Sequence, residues 1–342
     1  MEVAILGGGN FGTAIANIVA KNGYLTHLWM RDEQQVADCI AHGENRRYLP
    51  GHPLEVQLAP TADFAEAVAR SAVCFVTVPS ASFREVSEQL ATFTRPQDIL
   101  VSATKGIEAP GFQLMSQILR EVTGSERIGV LSGPNLAEEI ADSQYTGTVI
   151  ASTDVKLCET VQTILSSETF RVYDSSDVYG VELAGALKNI YAIICGMAAG
   201  LKVGQNTVGM LITRSLAEMS RFAVSMGANP LTFLGLAGVG DLLVTCTSPL
   251  SRNFQLGFRL GEGMTLEGAL ADLGKLAEGV NTLKVVYDRS QELNVYMPLV
   301  AGLYQVIYAG RGIVEVVSNL MASDQGVDVE FVAPSQWGVK FG

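Results

Sequence analysis

The chain has 342 residues, of which 48% are hydrophobic and 17% charged, with a net charge of −12 and a pI near 4.8. That balance excludes a disordered chain, and the length suggests two cores rather than one. It also excludes nucleic acid as an expected partner, because such binding needs clustered Lys and Arg and Arg46-Arg47 is too small a group.

The first predicted element is a short apolar strand, residues 2–6, that runs straight into Gly7-Gly8-Gly9-Asn10-Phe11-Gly12 and then a helix-like stretch at 13–22. Gly7-x-Gly9-x-x-Gly12 in this setting is the pattern of a dinucleotide-binding turn. The first glycine permits the turn and the second lets backbone approach a pyrophosphate. The third lets helix and strand pack closely, with the anion at the helix amino terminus. A second strand, 25–30, ends in Met30-Arg31-Asp32, where the residue facing the adenine ribose is expected. Arg31 there favours the 2′-phosphate of NADP, while Asp32 beside it keeps the 2′-hydroxyl of NAD open. The alternative for Arg31 is a surface-loop cap.

Further strands are predicted at 56–59, 72–78, 98–102, 128–131, 148–151 and 171–173, with helical patterns between most of them, such as 81–92 and 154–166. This alternation is that of a parallel α/β sheet. The character changes near 177–180. Apolar-periodic helices follow at 181–201, 207–226, 265–273, 280–293 and 298–308, with Pro298 suited to a first turn. The expectation is an α/β Rossmann amino-terminal domain over 1–179 and an all-helical carboxy-terminal domain over 180–322. A tail at 323–342 and a β run at 327–332 complete it.

Five scattered cysteines, with no CxxC, argue against disulfides and zinc and for a reducing compartment. No secretory leader is expected, since Glu2 follows Met1 and the first strand starts at once. Residues 183–201 are long enough to span a membrane, but Lys188, Asn189 and several glycines favour a buried helix instead. The chain is therefore expected to be cytoplasmic, without stable membrane insertion. The three histidines, His27, His42 and His52, all precede the helical half. A general acid from that half must be of another type.

Lys188 is the candidate. It sits in Gly185-Ala186-Leu187-Lys188-Asn189-Ile190, where its only polar company between 183 and 201 is Asn189 and the Tyr191 hydroxyl. Burial disfavours an ammonium and moves it toward the range useful for proton transfer. A snorkelling lysine at a helix edge is the plain alternative. Asp241, after Gly238-Val239-Gly240 in an apolar run, is a natural partner that could tune Lys188, and Thr245 lies one turn further on. Ser251-Arg252-Asn253 offers a hydroxyl, a guanidinium and an amide in one short loop. That set suits a phosphate, and Ser251 also suits a helix cap. Lys105, in Thr104-Lys105-Gly106, follows a strand end, where ligands collect in open α/β sheets.

These motifs together resemble the bacterial NAD(P)-dependent glycerol-3-phosphate dehydrogenases over nearly the whole chain. The matching pieces are the glycine loop with Thr13-Ala14, Arg47-Tyr48-Leu49-Pro50-Gly51, Val78-Pro79-Ser80 and Thr104-Lys105-Gly106-Ile107-Glu108. They continue through Ser132-Gly133-Pro134-Asn135-Leu136-Ala137-Glu138-Glu139, Gly185 to Asn189, and Gly235-Leu236-Ala237-Gly238-Val239-Gly240-Asp241-Leu242. Ser251-Arg252-Asn253 and Ala277-Glu278-Gly279 close the set.

The resemblance implies reversible reduction of dihydroxyacetone phosphate to sn-glycerol 3-phosphate, which feeds glycerophospholipid synthesis. It implies Lys188 as proton donor and acceptor. Lys105, Gly133, Asn135, Asp241, Ser251, Arg252 and Asn253 would join it around the phosphorylated substrate. Gly7, Gly9, Asn10, Phe11, Gly12, Arg31, Lys105, Ala137, Arg252, Leu276 and Glu278 would hold the cofactor, with NADP favoured and NAD use open. Asn135 and Leu276 depart from the commoner family residues, Ser or Thr and Val. The apolar helical half could supply a homodimer interface. Three rivals fit less well. A ketopantoate-type reductase leaves Ser251-Arg252-Asn253 without a purpose, and a hydroxyacyl-CoA type expects a His that the second half lacks. A non-catalytic NADPH sensor would need no proton donor.

Overall fold

The computed structural model describes residues 1–109, 111–274 and 277–322. The expectations for Leu276, for a β run at 327–332 and for the tail at 323–342 lie outside the described residues. Two compact units are present. The boundary between them falls within the helix Val178–Gly200, the first unit ending at Glu182 and the second beginning at Leu183.

The first unit holds strands β1 (Glu2–Leu6), β2 (Leu25–Trp29), β3 (Leu58–Thr61), β4 (Ser71–Val76) and β5 (Ile99–Ser102), a small ribbon of β6 (Ile107–Glu108) and β7 (Gln113–Leu114), and then β8 (Ile128–Ser132), β9 (Thr146–Ala151) and β10 (Phe170–Ser175). Eight of them form one sheet in the order β10-β9-β8-β5-β4-β1-β2-β3. Every neighbouring pair is parallel except β8 with β9. Helices cover both faces, so the middle strands read as unbroken apolar runs. In β1, Val3 and Ile5 join one core cluster, while Ala4 and Leu6 join another on the opposite face. At the edge, β10 alternates instead: Phe170 and Val172 are buried, and Arg171 and Tyr173 face out.

The chain leaves β1 toward β2 and β3, then returns to β4 on the other side of β1. Such a reversal opens a crevice beyond the carboxyl ends of the strands. The glycine loop follows β1 at that point.

One expected strand is misplaced. Residues 56–59 were expected to be extended, but β3 begins two residues later at Leu58, and Val56 is fully exposed. Pairing with β2 selects Leu58 and Thr61 for the inside. Pro60 within β3 is tolerated because this is an edge strand.

In the second unit the described residues contain helices and no strand: after Val178–Gly200 come Gln205–Ser225, Asp241–Thr247, Arg252–Gly261, Leu266–Leu273, Glu278–Glu292, Pro298–Ala309 and Ile313–Ala322. The fold is thus an α/β Rossmann domain followed by a helical domain. By length and composition Val178–Gly200 could cross a membrane, yet most of it is buried inside the protein. Its glycines explain how. A methyl group on Gly196 would lie 2.1 Å from the Phe254 carbonyl oxygen, and one on Gly257 would lie 1.9 Å from that of Ile193. Gly200 and Gly261 are equally confined. Only glycine lets Val178–Gly200 and Arg252–Gly261 touch backbone to backbone, and that contact sets the start of the second helix against the first.

Candidate active site

In the first unit, Gly7 has a φ of +126°, a conformation that side chains rarely adopt. A methyl group on Gly12 would sit 1.9 Å from the Gly7 carbonyl oxygen, so the helix Asn10–Lys21 can lie this close to the loop only as built. A methyl group on Gly9 would meet nothing within 4 Å, so this glycine faces open space. No side chain caps the helix at Gly9, which leaves its first amide groups for an outside anion. These residues fit a dinucleotide pyrophosphate. Phe11 and Ala137, the latter starting the helix Ala137–Ala141, pack partly buried on the same core cluster.

The loop is held by groups that no motif advertises. Thr77 donates its hydroxyl to the carbonyls of Leu6 at 3.1 Å and Gly7 at 2.9 Å. The fully buried Asn45 donates to the Gly8 carbonyl at 3.0 Å and to the Thr13 hydroxyl at 2.8 Å. Gln35 adds a second donor to Gly8 at 2.8 Å. Asn45 lies just before Arg46-Arg47-Tyr48, which is the one trace of its role in the sequence.

Beyond β2, Arg31 is exposed and pairs with Glu85 at 3.1 Å. Asp32 is engaged elsewhere. Its carboxylate caps the helix Glu33–His42 through the amides of Gln34 and Gln35, and it accepts from Arg47 at 2.9 Å. Asp32, expected to keep the ribose 2′-hydroxyl of NAD open, thus also serves a helix cap and Arg47, with its side chain 45% exposed.

Lys105 follows β5 and donates to the Gly133 carbonyl at 3.4 Å. Thr104 steadies that turn by donating to the Val78 carbonyl at 2.7 Å. Beyond β8, Gly133 has a φ of +155°, and a methyl group there would press on Thr148 at 3.1 Å. Thr148 gives its one proton to the Ser132 carbonyl at 3.2 Å and accepts from the Asn135 amide at 2.8 Å. The buried Asn135 carbonyl oxygen is thereby left as an unpartnered acceptor.

In the second unit, Lys188 is buried at 7% exposure with Asp241 at 1%. The ammonium donates to the Asp241 carboxylate and, at 2.6 Å, to the Thr245 hydroxyl. Thr245 in turn donates to the Asp241 backbone carbonyl at 2.6 Å, one turn back on the helix Asp241–Thr247. A π turn, Leu236–Gly240, delivers Asp241; a methyl group on its Gly238 would strike the Phe233 backbone at 2.3 Å. The Cys246 thiol is pushed well up, first by contact with Cys195 and then by burial, so it stays neutral beside the ion pair.

Ser251 caps the helix Arg252–Gly261 by accepting from the Phe254 amide. Asn253 accepts from the Gly279 amide at 3.0 Å, which leaves its NH2 group to donate elsewhere. Gly279 also approaches Asn189, whose carbonyl oxygen would lie 2.6 Å from a methyl group there. Glu278 opens the helix Glu278–Glu292. Lys188, Asn189, Asp241, Asn253 and Gly279 are therefore gathered by direct contacts within one unit. Arg252 is exposed at the first helical position, and no hydrogen bond or ion pair engages its guanidinium among the described residues. No group of His, Cys, Asp and Glu suited to a metal occurs among the described residues.

The amino-terminal family model described as NAD-dependent glycerol-3-phosphate dehydrogenase N-terminus matches residues 2–158, and its C-terminus counterpart matches residues 177–318. A glycerol-3-phosphate dehydrogenase [NAD(P)+] of Pseudomonas fluorescens (strain SBW25) is 55% identical over 337 residues, 97% of each chain. One of Ectopseudomonas mendocina is 56% identical, covering 96% of this chain and 97% of the other. The crystal structure of glycerol-3-phosphate dehydrogenase from Coxiella burnetii superposes with a TM-score of 0.90 at 33% identity, over 94% of this chain and 99% of that one.

Proposed function

The chain belongs to the NAD-dependent glycerol-3-phosphate dehydrogenase family, and from that premise we propose that it interconverts dihydroxyacetone phosphate and sn-glycerol 3-phosphate with NAD(P). The observation that carries this reading is the buried Lys188–Asp241–Thr245 group, in the same unit as an exposed Arg252 that starts a helix and is unpaired among the described residues.

When bound, the nicotinamide supplies or takes the hydride at the substrate's central carbon. The chain's own residues do the rest. As hydride reaches the ketone carbon, the C=O π bond breaks toward oxygen, and Lys188 gives that oxygen a proton. In the reverse direction Lys188 takes the proton from the alcohol. Asp241 and Thr245 hold the ammonium in one place through both directions. Ser251, Arg252 and Asn253 bind the phosphate, with the Arg252 fork matched to two phosphate oxygens. In the first unit, Lys105 and Gly133 contact the substrate, and the free carbonyl of Asn135 accepts from a substrate hydroxyl. Gly7, Gly9, Asn10, Phe11, Gly12, Arg31, Lys105, Ala137, Arg252 and Glu278 hold the cofactor, as would Leu276. We place residues 1–179 and 180–322 as the two functional domains.

The product sn-glycerol 3-phosphate feeds glycerophospholipid synthesis. A cytoplasmic setting is supported by five cysteines that are all free and buried. The burial of Val178–Gly200 supports a core helix without stable membrane insertion. A homodimer is supported by the outward apolar residues Val314, Val317 and Met321 along the helix Ile313–Ala322.

The test is oxidation of NADPH and NADH by the purified chain with dihydroxyacetone phosphate, alongside Arg252→Ala. Turnover by the wild type, with a KM for the substrate raised at least about tenfold in the variant, is expected, since lost charge-assisted bonds to phosphate are each worth about 1.5–3 kcal/mol. Cofactor binding without turnover would overturn the reading in favour of a sensor.

A further inference from the structure

We propose that Glu85 is a specificity-determining residue that keeps the choice between NADP and NAD near balance by partly neutralising Arg31. This rests on the cofactor site placed at the carboxyl ends of β1 and β2. Arg31 stands where the adenine ribose is expected, and its guanidinium meets the Glu85 carboxylate at 3.1 Å. Both residues line one cavity of about 580 Å³, walled by Trp29, Phe64 and Phe93. Trp29 and Phe64 meet edge to face at 5.1 Å, and Phe64 and Phe93 at 6.1 Å, so the wall is a continuous aromatic surface. Asp63 also faces this cavity, with one oxygen occupied in capping the helix Phe64–Val68.

The charge count decides what the cavity prefers. One guanidinium is set against two carboxylates, and Asp32, the other acid nearby, is spent on Arg47 and a helix cap. NADP differs from NAD by a 2′-phosphate of nearly two negative charges at that ribose. If Arg31 stood alone, it would reward the phosphate strongly. With Glu85 on the same guanidinium, a phosphate bonded to Arg31 lies about 6 Å from the carboxylate, two hydrogen-bond lengths away. A 2′-hydroxyl pays no such repulsion and can donate to the carboxylate. Glu85 therefore penalises NADP and leaves NAD nearly untouched. Both partners are more than half exposed, with side-chain exposures of 60% and 71%, so water and salt screen the effect.

The experiment measures dissociation constants of NADPH and NADH by fluorescence titration of the full chain, for wild type, Glu85→Gln and Arg31→Ala. Glu85→Gln keeps the shape and an acceptor for Arg31 while removing the charge. It is expected to raise the preference for NADPH over NADH about five- to tenfold at low salt, shrinking to about two- or threefold at 0.15 M. Arg31→Ala is expected to lower that preference. An unchanged ratio in Glu85→Gln, with a lowered one in Arg31→Ala, overturns the role of Glu85 alone. An unchanged ratio in both variants overturns the placement of the ribose at Arg31, and the proposal with it. Equal weakening of both nucleotides by Glu85→Gln marks a merely structural residue and also overturns the proposal.

Discussion

The Lys188 ammonium and the Asp241 carboxylate are bonded to each other inside the helical unit, with side chains only 9% and 1% exposed. A pair so deeply placed survives because each charge satisfies the other and the Thr245 hydroxyl accepts a further hydrogen bond from the ammonium. Its removal in halves leaves an uncompensated charge, which is costlier than removing both partners.

Lys188→Met is therefore expected to lower kcat by about 10²–10⁴, the range for loss of a positioned general acid. NADPH affinity should stay within about twofold of wild type, because the glycine loop belongs to the other unit and its bonds are untouched. Stability should fall by about 3–5 kcal/mol, and Lys188→Met with Asp241→Leu should recover part of it. Steady-state rates, nucleotide titration and melting curves check the three parts. A variant retaining more than a tenth of wild-type kcat would remove Lys188 from the proton-transfer role.

Asn45 orients the glycine loop. A trans peptide is planar, so its carbonyl and the following amide point in opposite directions. Asn45 and Gln35 draw the Gly8 carbonyl inward, which turns the Gly9 amide outward to the open side. Asn45→Ala is expected to raise KM for either nucleotide more than about tenfold, as loss of a buried donor costs about 1–3 kcal/mol. The KM for dihydroxyacetone phosphate at saturating nucleotide should hardly move. Equal effects on both substrates would show general loosening of the fold and reject a positioning role.

Two buried glutamates make stability depend on pH. Burial pushes Glu182 and Glu218 each up to about 7, against bonds from Ser116 to the first and from the Leu299 and Val300 amides to the second. Between pH 4.5 and 7 the folded chain thus keeps protons that the unfolded chain releases. This contribution is complete below pH 4.5 and is lost as pH rises through 7. Exposed acids act oppositely: Arg46 holds the Asp38 carboxyl below its ordinary range, and Arg84 does the same for Glu121. Their contribution is present above the ordinary carboxylate range and fades in stronger acid. Wild type is expected to lose on the order of 2–3 kcal/mol relative to Glu218→Gln between pH 5 and 8, a melting difference of several degrees. Parallel melting curves for the two proteins across that range would reject the assignment.

Much of this protein was legible in order along the chain. Gly7, Gly9 and Gly12 lie within one turn, so the spacing that builds an anion site is local and visible. Lys188 stood out because a cation within an apolar helix must be paired or used. The alternation of strand and helix, then helices alone, determined the fold class for the same reason: periodicity is a property of neighbours in sequence. Folding decided what depends on distant partners. Asn45 reaches Gly8 across 37 positions, and Glu85 reaches Arg31 across 54. The helix cap and the Arg47 pair that Asp32 also makes were set by the fold. A strand was expected from Val56, and pairing with β2 starts it at Leu58. Hydrogen bonds and ion pairs are satisfied by whatever the fold brings within about 3 Å, and linear order carries no record of that distance.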